Sequence, residues 1–168
     1  MIYSVLLTLW LMIRKAKQAD ANAVFKIYFH PAVHKFMHYR TMSKAEFRKK
    51  WKQILKRYAA YVVENENGVV AFGWLDQFDG MRSHVVEISH IAVSPSEQGK
   101  GIGTKLFMFL LKKAHQKKAS RIQLIAEVDN KKGIAFYKKF GFRIEGVLRK
   151  SQKRATGFVD QVIMAKIF

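Results

Sequence analysis

A glycine-rich turn between a predicted strand and a predicted helix is the segment of this sequence best suited to chemistry. Residues 91–104 read IAVSPSEQGKGIGT. Gly99, Gly101 and Gly103 let the backbone approach a ligand closely, and the free N–H groups at a helix start favour an anion. Lys100 adds positive charge to the turn. The pattern favours a phosphate cradle, although glycines at a helix start also have an ordinary structural explanation.

Two nucleotide-binding patterns do not fit this turn. It is not G-x-x-x-x-G-K-[ST], and it is not G-x-G-x-x-G followed by an acidic residue about 20 positions later. The sequence therefore argues against a nucleoside triphosphate or a dinucleotide as the ligand.

Two motifs resemble the GNAT superfamily of N-acetyltransferases. The run QGKGIG at 98–103 is similar to that family's acetyl-CoA motif, Q/R-x-x-G-x-G/A, and it follows a strand that ends in I-A-V. Asn130, Ala135 and the run YKKFGF at 137–142 resemble the family's later N…A-x-Y…GF segment. The resemblance covers roughly residues 12–168 and implies acetyl-CoA as cosubstrate.

The resemblance implies a cofactor site for the pantetheine and the pyrophosphate of acetyl-CoA. Pantetheine is expected to pair with the backbone of a central strand where this strand splays from its parallel neighbour, and the pyrophosphate is expected on the amides of the glycine-rich turn. Asn130 is expected to contact the cofactor from the second strand. The residues so implied are Ile91, Ala92, Val93, Gln98, Gly99, Lys100, Gly101, Ile102, Gly103, Thr104 and Asn130.

Tyr137 resembles the family tyrosine that protonates the leaving thiolate, and the resemblance assigns it to both the catalytic and the cofactor-binding residues. The structural alternative is a core aromatic residue packed at helical spacing with Phe136 and Phe140. The donor role is favoured because the position matches the motif and packing does not need a hydroxyl.

Glu87 is the candidate base. An ammonium group with a pKa of about 10.4 has no lone pair for attack on a thioester, so a proton acceptor is expected. Glu87 stands four residues before Ile91, where enzymes of the histone-acetylating branch place a glutamate that works through water. Strand alternation predicts Glu87, Ser89, Ile91 and Val93 on one face and His90 on the other. A paired surface carboxylate is the equal alternative for Glu87.

Composition limits the other classes of chemistry. The chain has no cysteine, which excludes a thiol nucleophile and a disulfide framework and suits a cytoplasmic location. Of its six histidines, His30, His34 and His38 are spaced by four, but Pro31 interrupts the segment and no carboxylate completes a set. No metal site is expected.

The strong positive charge leaves a second function open. Lys and Arg number 31 against 12 Asp and Glu, a formal net charge of +19. Because the basic clusters run along the whole chain, ordinary solvated surface is the favoured explanation. The alternative is an acidic or nucleic-acid partner, and with it a ribosome-associated acetyl-CoA-binding module with little or no turnover.

Periodicity predicts the elements that position these residues. Helices are expected to about Phe29 with Asp20 as the N-cap, and from the Ser43/Glu46 capping box to about Arg57. Two more are expected at 102–118, with an apolar stripe of Ile102, Leu106, Phe109 and Leu110, and from Asn130 to about Phe140. Strands are expected at 13–18, 60–66, 69–78, 84–93, 121–128, 142–149 and 158–168, and residues 30–42 as a loop or broken helix. The predicted fold is α+β, with a mostly antiparallel twisted sheet of about six to seven strands, one parallel pair at the cofactor cleft and about four helices.

The sequence predicts one domain, 12–168, preceded by an apolar extension at 1–11. The apolar run at the start is too short to span a bilayer as a helix. The expected partners are acetyl-CoA, an amine acceptor that is a small molecule or a protein, and, by analogy with the family, a second copy of the chain.

Overall fold

A seven-stranded mixed sheet forms the centre of the computed structural model, which describes residues 11–168. The strand order is β1-β2-β3-β4-β5-β7-β6. The strands are β1 Met12–Lys15, β2 Ala59–Asn65, β3 Gly68–Gln77, β4 Val85–Val93, β5 Arg121–Glu127, β6 Arg143–Arg154 and β7 Gly157–Ile167. Only the β4–β5 pair is parallel within the described sheet, which confirms the predicted fold class.

Five α-helices flank the sheet within residues 11–168. They are α1 Ala21–Tyr28, α2 Pro31–His34, α3 Lys44–Arg57, α4 Ile102–Gln116 and α5 Lys131–Lys139. Four correspond to predicted helices, and α2 is a single turn within the segment predicted to be a loop or broken helix. The described helices include none long and apolar enough to cross a membrane. The predicted extension at 1–11 lies, except for Leu11, outside the described residues.

The two faces of the sheet carry separate cores. Phe72 and Trp74 of β3 pack toward α1 and α3, where Tyr28 and Trp51 are fully buried. The opposite face packs against α4 through residues such as Leu75. Alternation along β3 therefore gives each helical layer its own apolar surface.

Local chemistry sets the start of α3 as predicted. The Ser43 hydroxyl oxygen accepts a hydrogen bond from the Glu46 amide at 3.2 Å, and the Glu46 carboxylate accepts one from the Ser43 amide at 2.7 Å. Both bonds satisfy N–H groups that the helix itself cannot pair.

Asp20 has a different role from the one predicted. Its carboxylate makes no capping bond to α1 but accepts two hydrogen bonds from Arg14, at 2.8 and 2.9 Å, and one from the Lys17 amide at 2.7 Å. The chain turns sharply after Lys15, so β1 ends earlier than the predicted strand and Asp20 becomes the partner of a β1 arginine.

The buried face of α4 is shifted from the predicted stripe. Ile102, Leu106 and Leu110 are buried as expected, but Phe109 is only half-buried against Tyr61. Phe107 is fully buried instead, with its ring centroid 4.8 to 5.7 Å from those of Phe136, Tyr137, Phe140 and Phe142. Helix α5 and the turn after it pack against α4 and bury a wider face of that helix. The periodicity of α4 alone does not indicate this wider face.

We expect Phe107→Ala to lower the free energy of unfolding by about 3–5 kcal/mol, because it leaves a cavity at the centre of this aromatic cluster. Urea denaturation followed by circular dichroism measures the change. Met108→Ala, at an exposed position of the same helix, is the matched control and should stay within about 0.5 kcal/mol of the wild type. Equal effects of the two substitutions would contradict this assignment of the buried face.

Candidate active site

Strands β4 and β5 pair over only a short distance. Their register comprises Val85 with Arg121, Val86 with Ile122 and Glu87 with Gln123. Beyond this point β4 continues on β3, and β5 continues on β7, so each strand keeps a partner on its outer side. The facing edges of β4 and β5 form no further pairs, and residues of both strands, including Ser89 and Ile125, line a gap between them.

A β-bulge in β4 lies at the mouth of this gap. His90 faces Trp74 and Ile88 faces Leu75, so β4 has one extra residue, Ser89, between two consecutive partners on β3. A bulge bends the strand and changes which face the following side chains occupy. The gap therefore opens where the regular alternation of β4 is interrupted.

The predicted faces of β4 are consequently wrong. Trp74 and Asp76 are two residues apart on β3 and share a face, and they pair with His90 and Glu87. Glu87 and His90 therefore lie on the same side of the sheet, the side of α1 and α3. Ile91 and Val93 pack on the α4 side. Alternation could not reveal this because it assumes a strand without a bulge.

A cavity of about 590 Å³ extends from the gap along the glycine-rich turn. It is lined by many of the predicted cofactor residues: Ile91, Ala92, Val93, Gln98, Gly99, Gly103, Asn130 and Tyr137. Lys100, Gly101, Ile102 and Thr104 do not line it. Their side chains lie elsewhere: Lys100 pairs with Glu97 at 3.1 Å, Ile102 is in the core and Thr104 is exposed.

The turn holds its shape through positive φ angles and one side-chain bond. Gly99 and Gly101 have φ of +80° and +77°, a region that other residues enter at a cost. Gly101 is the N-cap of α4 and provides no side-chain cap, so the first amides of α4 are not capped by its side chain. The Gln98 side-chain amide donates to the Val93 carbonyl at 3.1 Å and ties the turn to the end of β4.

One wall of the cavity comes from α2 and the chain that follows it, which sequence reasoning missed. Ala32, Val33, Lys35, Phe36 and Met37 line the cavity from this side. Residues 30–42 have no clean periodicity, and only the tertiary structure brings them against β4. Lys35, together with Lys132 of α5, adds positive charge to the lining.

Asn130 and Tyr137 lie at the deep end, where α5 closes the gap. The Asn130 side-chain oxygen caps α5 by accepting from the Gly133 amide at 3.0 Å. The Tyr137 ring packs on Phe107, and burial raises the pKa of Tyr137 to about 12. The Tyr137 side chain lines the cavity, and with this raised pKa its hydroxyl is protonated at neutral pH and can donate to a ligand.

A second, smaller cavity of about 50 Å³ adjoins the first. Phe36, Met37, Ile91, Asn130 and Tyr137 line both. The polar residues that line the second cavity are His38, Ser89, His90, Glu127, Asn130 and Tyr137. Glu127 is buried and is paired with Arg154. Tyr137 and Asn130 thus stand where the long cavity meets a small polar one.

Glu87 lines neither of these cavities. Its carboxylate accepts a hydrogen bond from the Gln123 side-chain amide at 2.9 Å and a longer one from the Ser89 hydroxyl at 3.4 Å. Glu87 is partly buried, and its hydrogen bonds resemble those of the paired carboxylate predicted as one alternative. Its contact with Ser89, which lines the small cavity, also keeps it close to the position expected of a base. In the described part of the chain, no His, Asp and Glu residues cluster as a metal site would require.

Comparison with known proteins defines the class to which this fold and site belong. The model of the acetyltransferase (GNAT) family matches residues 18–142. The L-amino acid N-acyltransferase MnaT of Escherichia coli (strain K12) is 32% identical over 159 residues, 90% of this chain and 91% of the relative. The structure of a ribosomal-protein-alanine N-acetyltransferase from Brucella melitensis superposes with a TM-score of 0.79 at 26% identity, over 94% of this chain and 99% of that one.

A further structural neighbour was determined with acetyl-CoA bound. It is the phosphinothricin acetyltransferase of Sinorhizobium meliloti, which has a TM-score of 0.79 at 22% identity over 94% of this chain and 88% of that chain. The class is that of acyl-CoA-dependent N-acetyltransferases. This chain belongs to the GNAT family, as its two sequence motifs predict.

The glycine-rich turn provides a test of backbone conformation. We expect Gly101→Ala to lower the free energy of unfolding by about 1–2 kcal/mol, because alanine is strained at a φ of +77°. Gly103→Ala is the matched control two residues later, within α4, where an added methyl meets only an ordinary 3.5 Å contact with Val93 and alanine favours the helix. Urea denaturation of both variants without ligand measures the contrast. A Gly103→Ala variant as unstable as Gly101→Ala would contradict this explanation.

Proposed function

We propose that this chain transfers the acetyl group of acetyl-CoA to the primary amine of an amino acid or a related small molecule, by direct attack in a ternary complex. The observation that carries the proposal is the junction of the two cavities at Tyr137 and Asn130. A long cavity can hold an extended cosubstrate, and the small polar cavity beyond its end can hold an amine. The similarity to an L-amino acid N-acyltransferase over nine-tenths of the chain supports an amino-acid acceptor.

In this proposal the long cavity binds acetyl-CoA mainly through backbone groups. Pantetheine lies along Ile91, Ala92 and Val93, and the pyrophosphate lies over the amides from Gln98 to Thr104, at the start of α4. A helix start offers unpaired N–H groups and a partial positive charge to an anion. Lys35 and Lys132 add screening charge for the phosphates.

Tyr137 is the proposed acid. When the tetrahedral adduct collapses, the C–S bond breaks and the CoA sulfur leaves with the electron pair. The Tyr137 hydroxyl donates its proton to this sulfur and is reprotonated from solvent. The raised pKa of Tyr137 keeps the proton in place until the sulfur carries charge. A backbone N–H near Val93 stabilises the oxyanion of the adduct.

Glu87 is proposed to attract the protonated acceptor through water rather than to contact it. Its carboxylate accepts a hydrogen bond from Ser89, which lines the small cavity, and its negative charge favours a cationic acceptor. A cytoplasmic location is proposed with this activity, since a chain without cysteine suits a reducing compartment.

We expect Tyr137→Phe to reduce CoA release by about 10²-fold or more, because the leaving sulfur loses its proton donor. The assay follows free CoA thiol from acetyl-CoA with L-amino acids, small amines, polyamines, N-terminal peptides and lysine peptides. Tyr61→Phe, which removes a hydroxyl from a partly buried tyrosine on β2 outside both cavities, is the matched control and should keep wild-type activity.

Binding without turnover would decide against the enzyme. If the wild-type protein binds acetyl-CoA by calorimetry and releases no CoA with any amine in the panel, the alternative of a basic acetyl-CoA-binding module gains support. Salt-dependent binding to RNA would then be its measurable property. A fully active Tyr137→Phe enzyme would instead retain the reaction and reject Tyr137 as the acid.

A further inference from the structure

One titratable side chain at the proposed acceptor end of the site, that of His38, lines both an inner cavity and an outer groove. His38 follows α2 and lines the small polar cavity beside Tyr137. It also lines an outer groove of about 410 Å³ along α3, together with Tyr39, Arg40 and Lys50. His38 is exposed to solvent at this boundary. The other titratable residues of the small cavity do not line the groove.

These other residues are already committed to partners. Glu127 is paired with Arg154, and the Nε2 of His90 lies 3.2 Å from the Tyr28 hydroxyl. The His90 ring packs between Trp74 and Tyr39, at centroid distances of 4.5 and 5.4 Å. Neither Glu127 nor His90 lines the outer groove, so His38 alone among these three residues lines both the small cavity and the groove.

A network of glutamine side chains contacts the His38 ring and favours one of its tautomers. The Ser151 hydroxyl donates to the Gln161 side-chain oxygen at 2.9 Å, and the Gln161 amide nitrogen donates to Gln152 at 2.9 Å. This orientation directs the same amide nitrogen toward the Nε2 of His38 at 3.4 Å. Because an amide nitrogen only donates, this contact favours the tautomer of His38 with the lone pair on Nε2. The 3.4 Å contact is long, so an incoming ammonium group can replace it.

We propose that His38 is a further catalytic residue, which accepts a proton from the ammonium group of the acceptor and releases it to solvent through the groove of α3. This rests on the proposed acetyl transfer. The N–H bond of the ammonium breaks, its electron pair stays on nitrogen, and the proton forms an N–H bond at Nε2 of the neutral imidazole. The amine then attacks the acetyl carbonyl, and the imidazolium loses its proton to water in the groove.

Desolvation lowers the pKa of His38 and keeps its imidazole neutral at rest. The charged groups nearby act in both directions: Glu127 and Glu87 raise this pKa, and Arg154 lowers it. His90, 5.0 Å away between ring centroids, is a neutral neighbour because burial holds its pKa well below the usual histidine range. The charged groups that share the groove with His38 are Arg40, Glu46, Lys49 and Lys50. Most of these are cationic and favour the loss of a proton from the imidazolium.

The test measures CoA release by His38→Gln and His38→Ala with the panel amine that gives the highest wild-type rate. We expect kcat/KM to fall about 10²-fold in both variants. In the wild type, kcat/KM should fall on acidification as the imidazole protonates, below the ordinary histidine pKa. Both variants should lose this limb and gain rate at alkaline pH, where the free amine forms in solution. Added imidazole should restore part of the activity of His38→Ala by entering from the groove.

His34→Gln is the matched control. His34 lies four residues earlier and contacts the Tyr39 carbonyl at 2.9 Å, so its loss perturbs the same segment without removing a residue that lines the small cavity. We expect this variant to keep most of its activity, the wild-type pH profile and no response to imidazole. Thermal melting of all three variants verifies that the fold is intact.

Three outcomes would overturn the role of His38. The first is that His38→Gln and His38→Ala keep the wild-type rate and pH profile, and the second is that imidazole does not restore activity to His38→Ala. The third is that His34→Gln shows the same loss of rate and the same change of pH profile as the His38 variants. If the wild-type enzyme transfers acetyl groups under these conditions, such a result rejects His38 alone. If the wild-type enzyme transfers no acetyl group to any amine, the proposed function fails and this inference fails with it.

Discussion

The early end of the parallel pairing between β4 and β5 is the constraint on which the site depends. The two strands share three residue pairs and then separate, while β3 and β7 continue to pair with their outer edges. Backbone N–H and C=O groups at the facing edges then need other partners. An extended ligand that inserts between the strands can supply them. The fold therefore creates a binding gap within the sheet by leaving its own hydrogen bonding incomplete.

The helices keep this gap open from both sides. The start of α4 lies at the outer end, where Gln98 ties the glycine-rich turn to Val93. At the inner end, α5 is anchored by the aromatic cluster around Phe107, which also includes Tyr137. The proposed acid is therefore part of the packing that closes the gap. Tyr137 thus contributes to stability through its ring, which packs on Phe107, and to the proposed chemistry through its hydroxyl, which can donate to a ligand.

The small polar cavity depends on a different set of contacts. The bulge at Ser89 moves Glu87 to the face of His90, and the glutamines of β6 and β7 hold His38 over the same region. The carboxylate of Glu87, the imidazoles of His38 and His90 and the ion pair of Glu127 with Arg154 thus lie close together. They come from four separate parts of the chain. Part of the high positive charge of the chain lies at the long cavity, which Lys35 and Lys132 line.

The sequence by itself determined the order of elements, the family and the glycine-rich turn. These are local properties, since periodicity, capping residues and glycines with positive φ act over a few neighbouring positions, as at Ser43 and Gly101. Only the tertiary structure decided which residues line the small cavity. The β4 bulge reversed the predicted relation of Glu87 to His90, and the unpatterned segment 30–42 brought Phe36, Met37 and His38 to the site. Strand register and loop docking depend on contacts between residues distant in sequence, and no local pattern records them.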